Sequence, residues 1–599
     1  MTTSGLNQTW DLDVIFQGGS TSTEFDTYLA QLSQDMTTFS ANVEQLNSTS
    51  ASQQLAAAIL HMQDIAARLR EAGAFISCLT AQDVKDTEAR LLVGRVSQLR
   101  AKYNVSLTKL DAVLTGLTAD AFAALLDEPQ IGELQYVLEE RRRRAGDKLP
   151  PEMEALVAVL SVDGYGAWGE LYNTIVGRMT LPFEENGKTV SLSMGQANNK
   201  LLVNDRDVRE RVFGELEKTW ANEADLCSEV LNHLAGHRLA VYEQRGWDSV
   251  LREPLEINRM SATTLDTMWQ VIAENQSEFV RFLEAKAKCI GTEKPTWADV
   301  AAPLGQNAKV YTYEEARDFI VRHFEHFNPE MAAFAYQCFE KRWIEAEDRP
   351  GKRPGGFCTS FPVSGQTRIF VTFSGSASNV ATLAHELGHA YHQHVMRQLP
   401  QLNTNYAMNV AETASTFAEM IVADASVKEA ANPVEQLGLL EDKVGRSVAM
   451  FMNIYARFLF ETRFYEERKR GVVSVERLNA LMQTAQEEAF GGALASYHPH
   501  FWASKLHFYS TGVPFYNFPY TFGYLFSTGI YARAQAEGPS FAAKYVALLQ
   551  DTGRMRVEDL AKKHLGVDLQ KPDFWQSAVD LAVIDARKFV DLAQSTALN

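Results

Sequence analysis

His385-Glu386-Leu387-Gly388-His389 decides how this chain is read. An α-helix turns every 3.6 residues, so positions four apart share one face, about 6 Å apart along the axis. Two imidazoles so placed can close on one metal ion, and the glutamate beside the first can hold a water next to it. Such a pattern also arises by accident on ordinary amphipathic helices. The flanks argue against accident: Val371-Thr-Phe precedes Ser374-Gly-Ser-Ala-Ser378, a small polar run that supplies a turn and N-cap candidates before the helical pattern follows. The five residues therefore read as half of a catalytic zinc site.

Two histidines leave such a site short of one protein ligand. Asn409-Val-Ala-Glu412-Thr-Ala-Ser-Thr-Phe-Ala-Glu419 offers two candidates on a second helical segment. Seven residues apart, Glu412 and Glu419 share a face but stand about 10 Å apart along an undistorted helix, so both cannot ligate one ion. One is expected as the ligand and the other as an outer acceptor, holding a ligand histidine by its far ring nitrogen. Spacing leaves the choice open. His392 shares the helix face, but three imidazoles from one straight helix cannot converge on a tetrahedral ion, so it is assigned to packing or an outer role. His394 is expected to face solvent.

Upstream, Asp348 to Gly356 (DRPGKRPGG) reads as an irregular loop leading into two β-like runs, Phe357 to Val363 and Thr367 to Phe373. An exposed strand edge there can bind an extended peptide through its backbone and hold a carbonyl toward the metal. The rest is mainly α. Leu55 to Leu69 and Asp86 to Leu126 carry helical spacing with few breakers, and Glu139-Glu-Arg-Arg-Arg-Arg-Ala reads as a solvated helical face. Met179-Thr-Leu-Pro-Phe and Thr189-Val-Ser-Leu-Ser flank Asn186-Gly187, a strong hairpin signal, which places a lobe boundary near residue 195. This divides the chain into residues 1–195, a helical lobe ending in a hairpin, and residues 196–599, the metal-bearing domain. From Asp205 the pattern is helical again, and Thr312-Tyr-Glu-Glu315 reads as a capping box.

The 599 residues, 46% of them hydrophobic, can bury large cores, and a formal net charge of -18 disfavours nucleic acid or an anionic membrane as the main partner. No apolar run approaches the roughly 20 residues that span a bilayer, and Met1 to Gln8 lacks the pattern of a secretory signal. Five scattered cysteines without a CxxC pair suit buried thiols in a reducing compartment, and the cytoplasm is expected.

His507-Phe-Tyr-Ser-Thr-Gly-Val-Pro-Phe-Tyr516-Asn-Phe-Pro-Tyr520-Thr-Phe-Gly-Tyr524 carries tyrosines at a spacing of four, a helical stripe that composition alone would assign to an aromatic core face. A hydrolase also needs donors for a developing oxyanion, and this segment is the best supply.

HELGHAYH together with AETASTFAE resembles the thimet oligopeptidase and oligoendopeptidase F family of zinc metallopeptidases, most closely its bacterial oligoendopeptidase F branch. Trp10-Asp-Leu-Asp-Val-Ile-Phe16 is similar to that branch's N-terminal motif, and the likeness covers most of the chain. The resemblance implies Glu412 as third ligand beside His385 and His389, one zinc ion per chain, and a mainly α, two-lobed helical metallopeptidase with a deep central cleft and a small β-sheet next to the HExxH helix. It implies a histidine and several tyrosines around the transition state: His507 and Tyr520 near the carbonyl as catalytic groups, Tyr516 and Tyr524 behind them for substrate. The departure from the thimet branch, whose loop is richer in glycine, leaves the individual tyrosine roles open.

The chemistry is coherent without the family. Two neutral imidazoles and a carboxylate leave an open position for water, whose proton Glu386 can take and pass to the leaving amine. Nitrogen-rich ligands favour zinc over magnesium. The leading expectation is an intracellular zinc oligoendopeptidase acting on short peptides, of undetermined oligomeric state. A second is an exopeptidase of dipeptidyl carboxypeptidase type with the same site, its chain terminus captured by Arg349, Lys352 or Arg353. A third, a peptide-binding protein with a structural metal, fits poorly with an intact Glu386 and His507.

Overall fold

Short polar side chains open helix after helix along this chain. Ser22 accepts from the Phe25 amide, Asp86 from Ala89, Thr118 from Ala121 and Asp205 from Val208, each satisfying one orphan donor of a first turn. The structure is a computed structural model and describes residues 5–185, 187–304 and 309–597. The helices that matter for the site are α1 (Thr23–Gln45), α2 (Ser52–Gln82), α3 (Thr87–Gly116), α4 (Gln135–Gly146), α5 (Ala167–Arg178), α6 (Arg206–Gln244), α7 (Ala377–Met396), α8 (Thr413–Lys428), α9 (Pro433–Val448), α10 (Ile454–Arg468) and α11 (Phe518–Glu537). The mainly α expectation holds, with the capping box at Thr312 and Glu315 in place. The run from Asp86 to Leu126 is two helices, broken where Thr118 caps the second.

Two small sheets interrupt the helices. Strands β1 (Thr180–Glu185) and β2 (Lys188–Ser193) form an antiparallel hairpin whose turn includes Gly187 at φ 72°; Asn186 lies outside the described residues. A second sheet runs in the order β3 (Ile344–Glu345), β5 (Gln366–Phe370), β4 (Phe357–Phe361), with β3 parallel and β4 antiparallel to β5. The two-residue β3 was not foreseen, because nothing in its pattern distinguishes it from the end of a helix.

The apolar residues gather in two cores. One spans Trp10 to Leu138 on α1 to α4; the other begins at Tyr172, takes in the hairpin through Leu181, Phe183 and Leu192, and extends to Ala593. By packing, the hairpin joins the second body, whereas chain order alone set the boundary near residue 195. The β3–β5–β4 sheet lies between the cores. Alternate strand residues face opposite ways, so Ile369 and Val371 join the second core while Phe370 and Phe361 join the first. Trp10 packs 5.7 Å from Phe370 and donates its indole N–H to Gln82 of α2, which ties the N-terminal motif to this joint.

The charge run at 139–145 is not merely a solvated face. Glu140 is buried and accepts from Nε and Nη2 of Arg259 at 2.9 and 2.8 Å, and Arg141 pairs with Asp111. Arg259 also donates to the carbonyls of Asn405 and Gly553. A run that composition assigns to solvent thus fastens α4 to the second body.

Candidate active site

Ser376 caps α7 by accepting from the Asn379 amide at 3.1 Å, as the polar run before it predicted. The buried side of α7 carries Val380, Leu383, Ala384, Leu387 and Tyr391, which sets His385 and His389 together on the opposite, partly buried face. Their rings stand edge to face with centroids 4.9 Å apart. Helix α8 packs directly against this helix at Gly388. A β-carbon there would fall 2.4 Å from the Ala414 carbonyl oxygen and 2.6 Å from Ser415 Cα, so the closeness of the two helices requires glycine.

Glu412 does not sit within a helix. It falls between the short helix Met408–Ala411 and α8, at φ -83° and ψ 2°, and this break turns its carboxylate toward the imidazoles. Glu412 Oε2 lies 3.2 Å from His385 Nε2 and 3.4 Å from His389 Nε2, and accepts from Ser415 Oγ at 2.7 Å. Gly523 of α11 braces it from behind, where a β-carbon would meet Glu412 Cβ at 3.1 Å. Bonds of about 2 Å in a tetrahedral site put neighbouring donors about 3.3 Å apart, so both of these spacings suit a zinc-sized ion. Among the described residues, this is the one group of three side chains close enough to hold a metal.

Glu419, one turn-pair along α8, approaches His385 from the other edge, with Oε2 2.9 Å from Nδ1. A carboxylate only accepts, so Nδ1 carries the proton and the Nε2 lone pair faces Glu412. Arg446 of α9 presses its guanidinium against Glu419 in turn. Burial pushes His389 down to about 4, leaving it neutral. Burial opposes the charge on Glu412, but in the acid range where it titrates the two imidazoles are themselves protonated, and together with the Ser415 hydroxyl they outweigh burial and hold its carboxyl at about 2. Glu386 is different. Burial, reinforced by Glu412 against the pull of His385, pushes it up to about 7, and its Oε2 is buried without a partner. Its Oε1 faces the start of β4, 3.3 Å from where a Gly356 β-carbon would be.

The remaining groups come from the segment 503–524. His507 is centred 5.1 Å from Tyr516 and 6.1 Å from Tyr520, whose rings are 5.8 Å apart. Since α11 begins at Phe518, Tyr516 stands on the loop before it and only Tyr520 and Tyr524 form the helical stripe. Phe515 adopts φ 50°, a left-handed conformation that costs an L-residue roughly 1–2 kcal/mol, and donates its amide to buried Glu461. Tyr524 shares a hydrogen bond of 2.8 Å with Ser447 and packs edge-on to Phe451, so it joins a wall as well as the site.

Two residues that hold this segment carried no sequence signal. Tyr172 of α5 stacks on Tyr509 at 3.7 Å and donates to the Ala503 carbonyl, and Arg238 of α6 donates to the Ser510 carbonyl and to Tyr165. Gly523, which braces Glu412, is equally anonymous in the sequence.

A cavity of about 1030 Å³ opens beside the triad, lined by His385, Glu412, Met420, Arg446, Tyr520 and Tyr524 among others. His392 is turned away from it: it stacks on Tyr406 at 4.3 Å and its Nε2 donates toward the Leu549 carbonyl. His394 is half-buried against Phe334 at 4.4 Å rather than in solvent, because α7 is covered there by the helix Pro329–Glu340. Cys289 is exposed, contrary to the expectation of buried thiols, while Cys78, Cys227 and Cys338 are buried. The basic loop before β4 is already engaged. Arg349 and Lys352 both pair with buried Glu345, and Lys352 also donates to the carbonyls of Glu347 and Val371. Arg353 lies over the ring of Phe357.

Comparison with known proteins gives a consistent picture. The model of peptidase family M3 matches residues 201–581, and one described as oligopeptidase F matches residues 114–180. An oligoendopeptidase F homolog of Lactococcus lactis subsp. lactis is 22% identical over 587 residues, covering 96% of this chain and 95% of that one. Oligopeptidase PepF of Bacillus subtilis is 22% identical over 460 residues, covering 75% and 67%. Among solved structures, oligoendopeptidase-F from Enterococcus faecium superposes with a TM-score of 0.69 at 17% identity, covering 96% and 99%. PZ peptidase A superposes with a TM-score of 0.72 at 16% identity, covering 93% and 97%. These structural likenesses show a shared fold.

Proposed function

This chain belongs to peptidase family M3 and is a metallopeptidase that hydrolyses peptide bonds; we propose that it is an intracellular, zinc-dependent oligoendopeptidase cutting short peptides at internal bonds. The observation that carries this reading is the convergence of His385 Nε2, His389 Nε2 and Glu412 Oε2 beside a buried Glu386 carboxylate with an unpartnered oxygen. The donor set of two neutral imidazoles and one carboxylate suits zinc, held by His385, His389 and Glu412. When bound there, zinc supplies a Lewis acid that acidifies water and polarises a carbonyl.

The protein's own groups have separable tasks. Glu386, raised toward neutrality by burial, takes the proton of the attacking water and delivers it to the leaving amine. Burial holds the Tyr520 hydroxyl protonated, and burial with the charges of Arg457 and Lys505 pushes His507 down to about 4, so both offer neutral donors to a developing oxyanion. Tyr516 and Tyr524 hold the substrate behind them. Strand β4 is an edge strand of its sheet and begins beside Glu386, so an extended peptide adding to it would be aligned with the base. Relatives bearing the name oligoendopeptidase F support the endopeptidase reading, and five free cysteines suit a reducing compartment such as the cytoplasm. The exopeptidase alternative loses its first candidates, since Arg349 and Lys352 are paired with Glu345.

The test is a quenched-fluorescent peptide blocked at both ends, assayed beside metal content. Glu386→Gln is expected to keep its metal and to lose turnover by about 10²–10⁴-fold. Near-wild-type turnover in that variant would reject Glu386 as base. Cleavage confined to peptides with a free end would replace the endopeptidase reading by the exopeptidase one.

A further inference from the structure

Lys505 and Arg457 are two partly buried cations beside His507 and, among the described residues, no carboxylate pairs with either. Both rest on the buried ring of Phe501, with Lys505 Nζ 4.7 Å and Arg457 Cζ 5.1 Å from its centroid. Arg457 spends Nε on Asn453 Oδ1 at 2.8 Å and Nη1 on Asn517 Oδ1 at 2.9 Å, both neutral amides. Among the described residues Lys505 Nζ makes neither a hydrogen bond nor an ion pair, and Arg457 makes no ion pair.

Other buried or partly buried cations of the chain have their hydrogen-bonding groups answered, Arg368 by the Asp11 and Thr367 carbonyls, Arg238 by tyrosine hydroxyls and the Ser510 carbonyl, and five more by carboxylates. Arg209 is answered by Asp299, Arg259 by Glu140, Lys286 by Glu441, Lys352 by Glu345, and Lys443 by Asp424 and Asp585. Removing charge from water is costly unless a partner restores the interaction. Here burial and the neighbouring Arg457 charge push Lys505 down to about 8, and burial pushes Arg457 down to about 10, so both remain cationic near neutral pH. Two positive groups held together without a counter-charge describe a site completed by an anion.

Their location says which anion. Asn517, gripped by Arg457, directly precedes α11, which carries Tyr520 and Tyr524. Lys505 stands two residues before His507, whose Nδ1 is buried and unpartnered. We propose that Lys505 and Arg457 form a carboxylate-binding subsite for the peptide, one that takes its free C-terminal carboxylate or an acidic side chain on the His507 side of the bond to be cut. This rests on the peptide substrate proposed above and adds a substrate preference to it. It also supplies the terminus-capturing group that the loop at 349–353 lacks.

Binding to the zinc-loaded Glu386→Gln protein, measured by calorimetry, tests the subsite without turnover. The probes are a neutral hexapeptide as free acid and as C-terminal amide, and amidated versions with one Gln→Glu replacement at each position in turn. One of the two carboxylate sources is expected to bind about 10–100-fold more tightly than its neutral counterpart, as hydrogen bonds to charged groups do. The free acid identifies the chain terminus, and a single Glu position identifies a side-chain subsite. Lys505→Met and Arg457→Gln, each added to Glu386→Gln, are expected to bring the preference to within about twofold of unity, and Lys505→Arg to retain most of it. Should Arg457→Gln fail to fold by circular dichroism, Lys505→Met and Lys505→Arg carry the comparison.

Equal binding of charged and neutral probes, survival of the preference in the folded variants, or failure of every probe to bind would overturn the proposal. A wild-type protein that cuts no peptide, beside a clear carboxylate preference in binding, would sink the hydrolase reading instead.

Discussion

Glu419 holds His385 by the ring nitrogen turned away from Glu412: Oε2 accepts from Nδ1 at 2.9 Å while Nε2 lies 3.2 Å from Glu412 Oε2. One imidazole is gripped on opposite edges by two carboxylates seven residues apart. Glu419→Gln keeps the shape but can no longer enforce the tautomer, and Glu419→Ala removes the acceptor. Loss of such an orienting partner typically weakens a metal site about 10–100-fold. Competition with a chelator of known affinity measures it; an unchanged zinc affinity in Glu419→Ala would remove that role.

Gly388→Ala should damage the metal site more than the fold. The new methyl would stand 2.4 Å from the Ala414 carbonyl oxygen, so α7 and α8 must part. Overpacking of this kind costs about 1–3 kcal/mol. Because Glu412 enters α8 two residues before Ala414, the parting moves it away from the imidazoles. Thermal denaturation and zinc titration on one preparation separate the effects, and an intact zinc affinity would contradict the expectation.

Tyr172 holds the loop that carries His507. Tyr172→Ala deletes the ring stacked on Tyr509 and the hydrogen bond to the Ala503 carbonyl. Loosening a positioning loop lowers turnover without touching the ligands, and a loss of about 10-fold in kcat/KM is expected with metal content unchanged. Tyr172→Phe, which keeps the stack, should lose less. Equal losses in the two variants would mean that the hydroxyl, not the ring, holds the loop.

Arg259→Met should be severe for stability. It leaves the buried Glu140 carboxylate without its two-pronged partner, a change that costs about 3–5 kcal/mol. Urea unfolding measures it, and Glu140→Gln combined with Arg259→Met should recover part of the loss. A single variant within about 1 kcal/mol of wild type would show that the tie between α4 and the second body is dispensable.

His392 makes stability depend on pH in a stated direction. Burial pushes its folded-state pKa down to about 3, below the usual value near 6.5, so the folded protein favours the neutral ring. The stability this represents is fully present above about pH 6.5 and is lost as pH falls toward 3. At pH 4.5 the loss from this one group is on the order of 3 kcal/mol, two pH units below the unfolded value. Chemical denaturation at pH 7 and 4.5 reads it. His392→Phe should flatten that part of the profile, and an unchanged slope would place the acid sensitivity elsewhere.

Local chemistry is what the chain itself made legible. Ser376 and Thr312 cap helices through bonds spanning three residues, the β1–β2 hairpin follows from its own flanks, and His385 and His389 meet through the turn of a single helix. Each interaction closes within a few residues, so spacing suffices to read it. Tertiary structure decided everything that depends on a second segment arriving. The break at Glu412 turns a carboxylate that an unbroken helix would have kept away, and Gly388 and Gly523 allow two neighbouring helices near enough to hold it. Glu140 left solvent because Arg259 met it from 119 residues away, and Lys505 and Arg457 share one aromatic ring although 48 positions separate them. Burial and charge pairing belong to the packed chain, and no local pattern encodes which distant side chain will provide them.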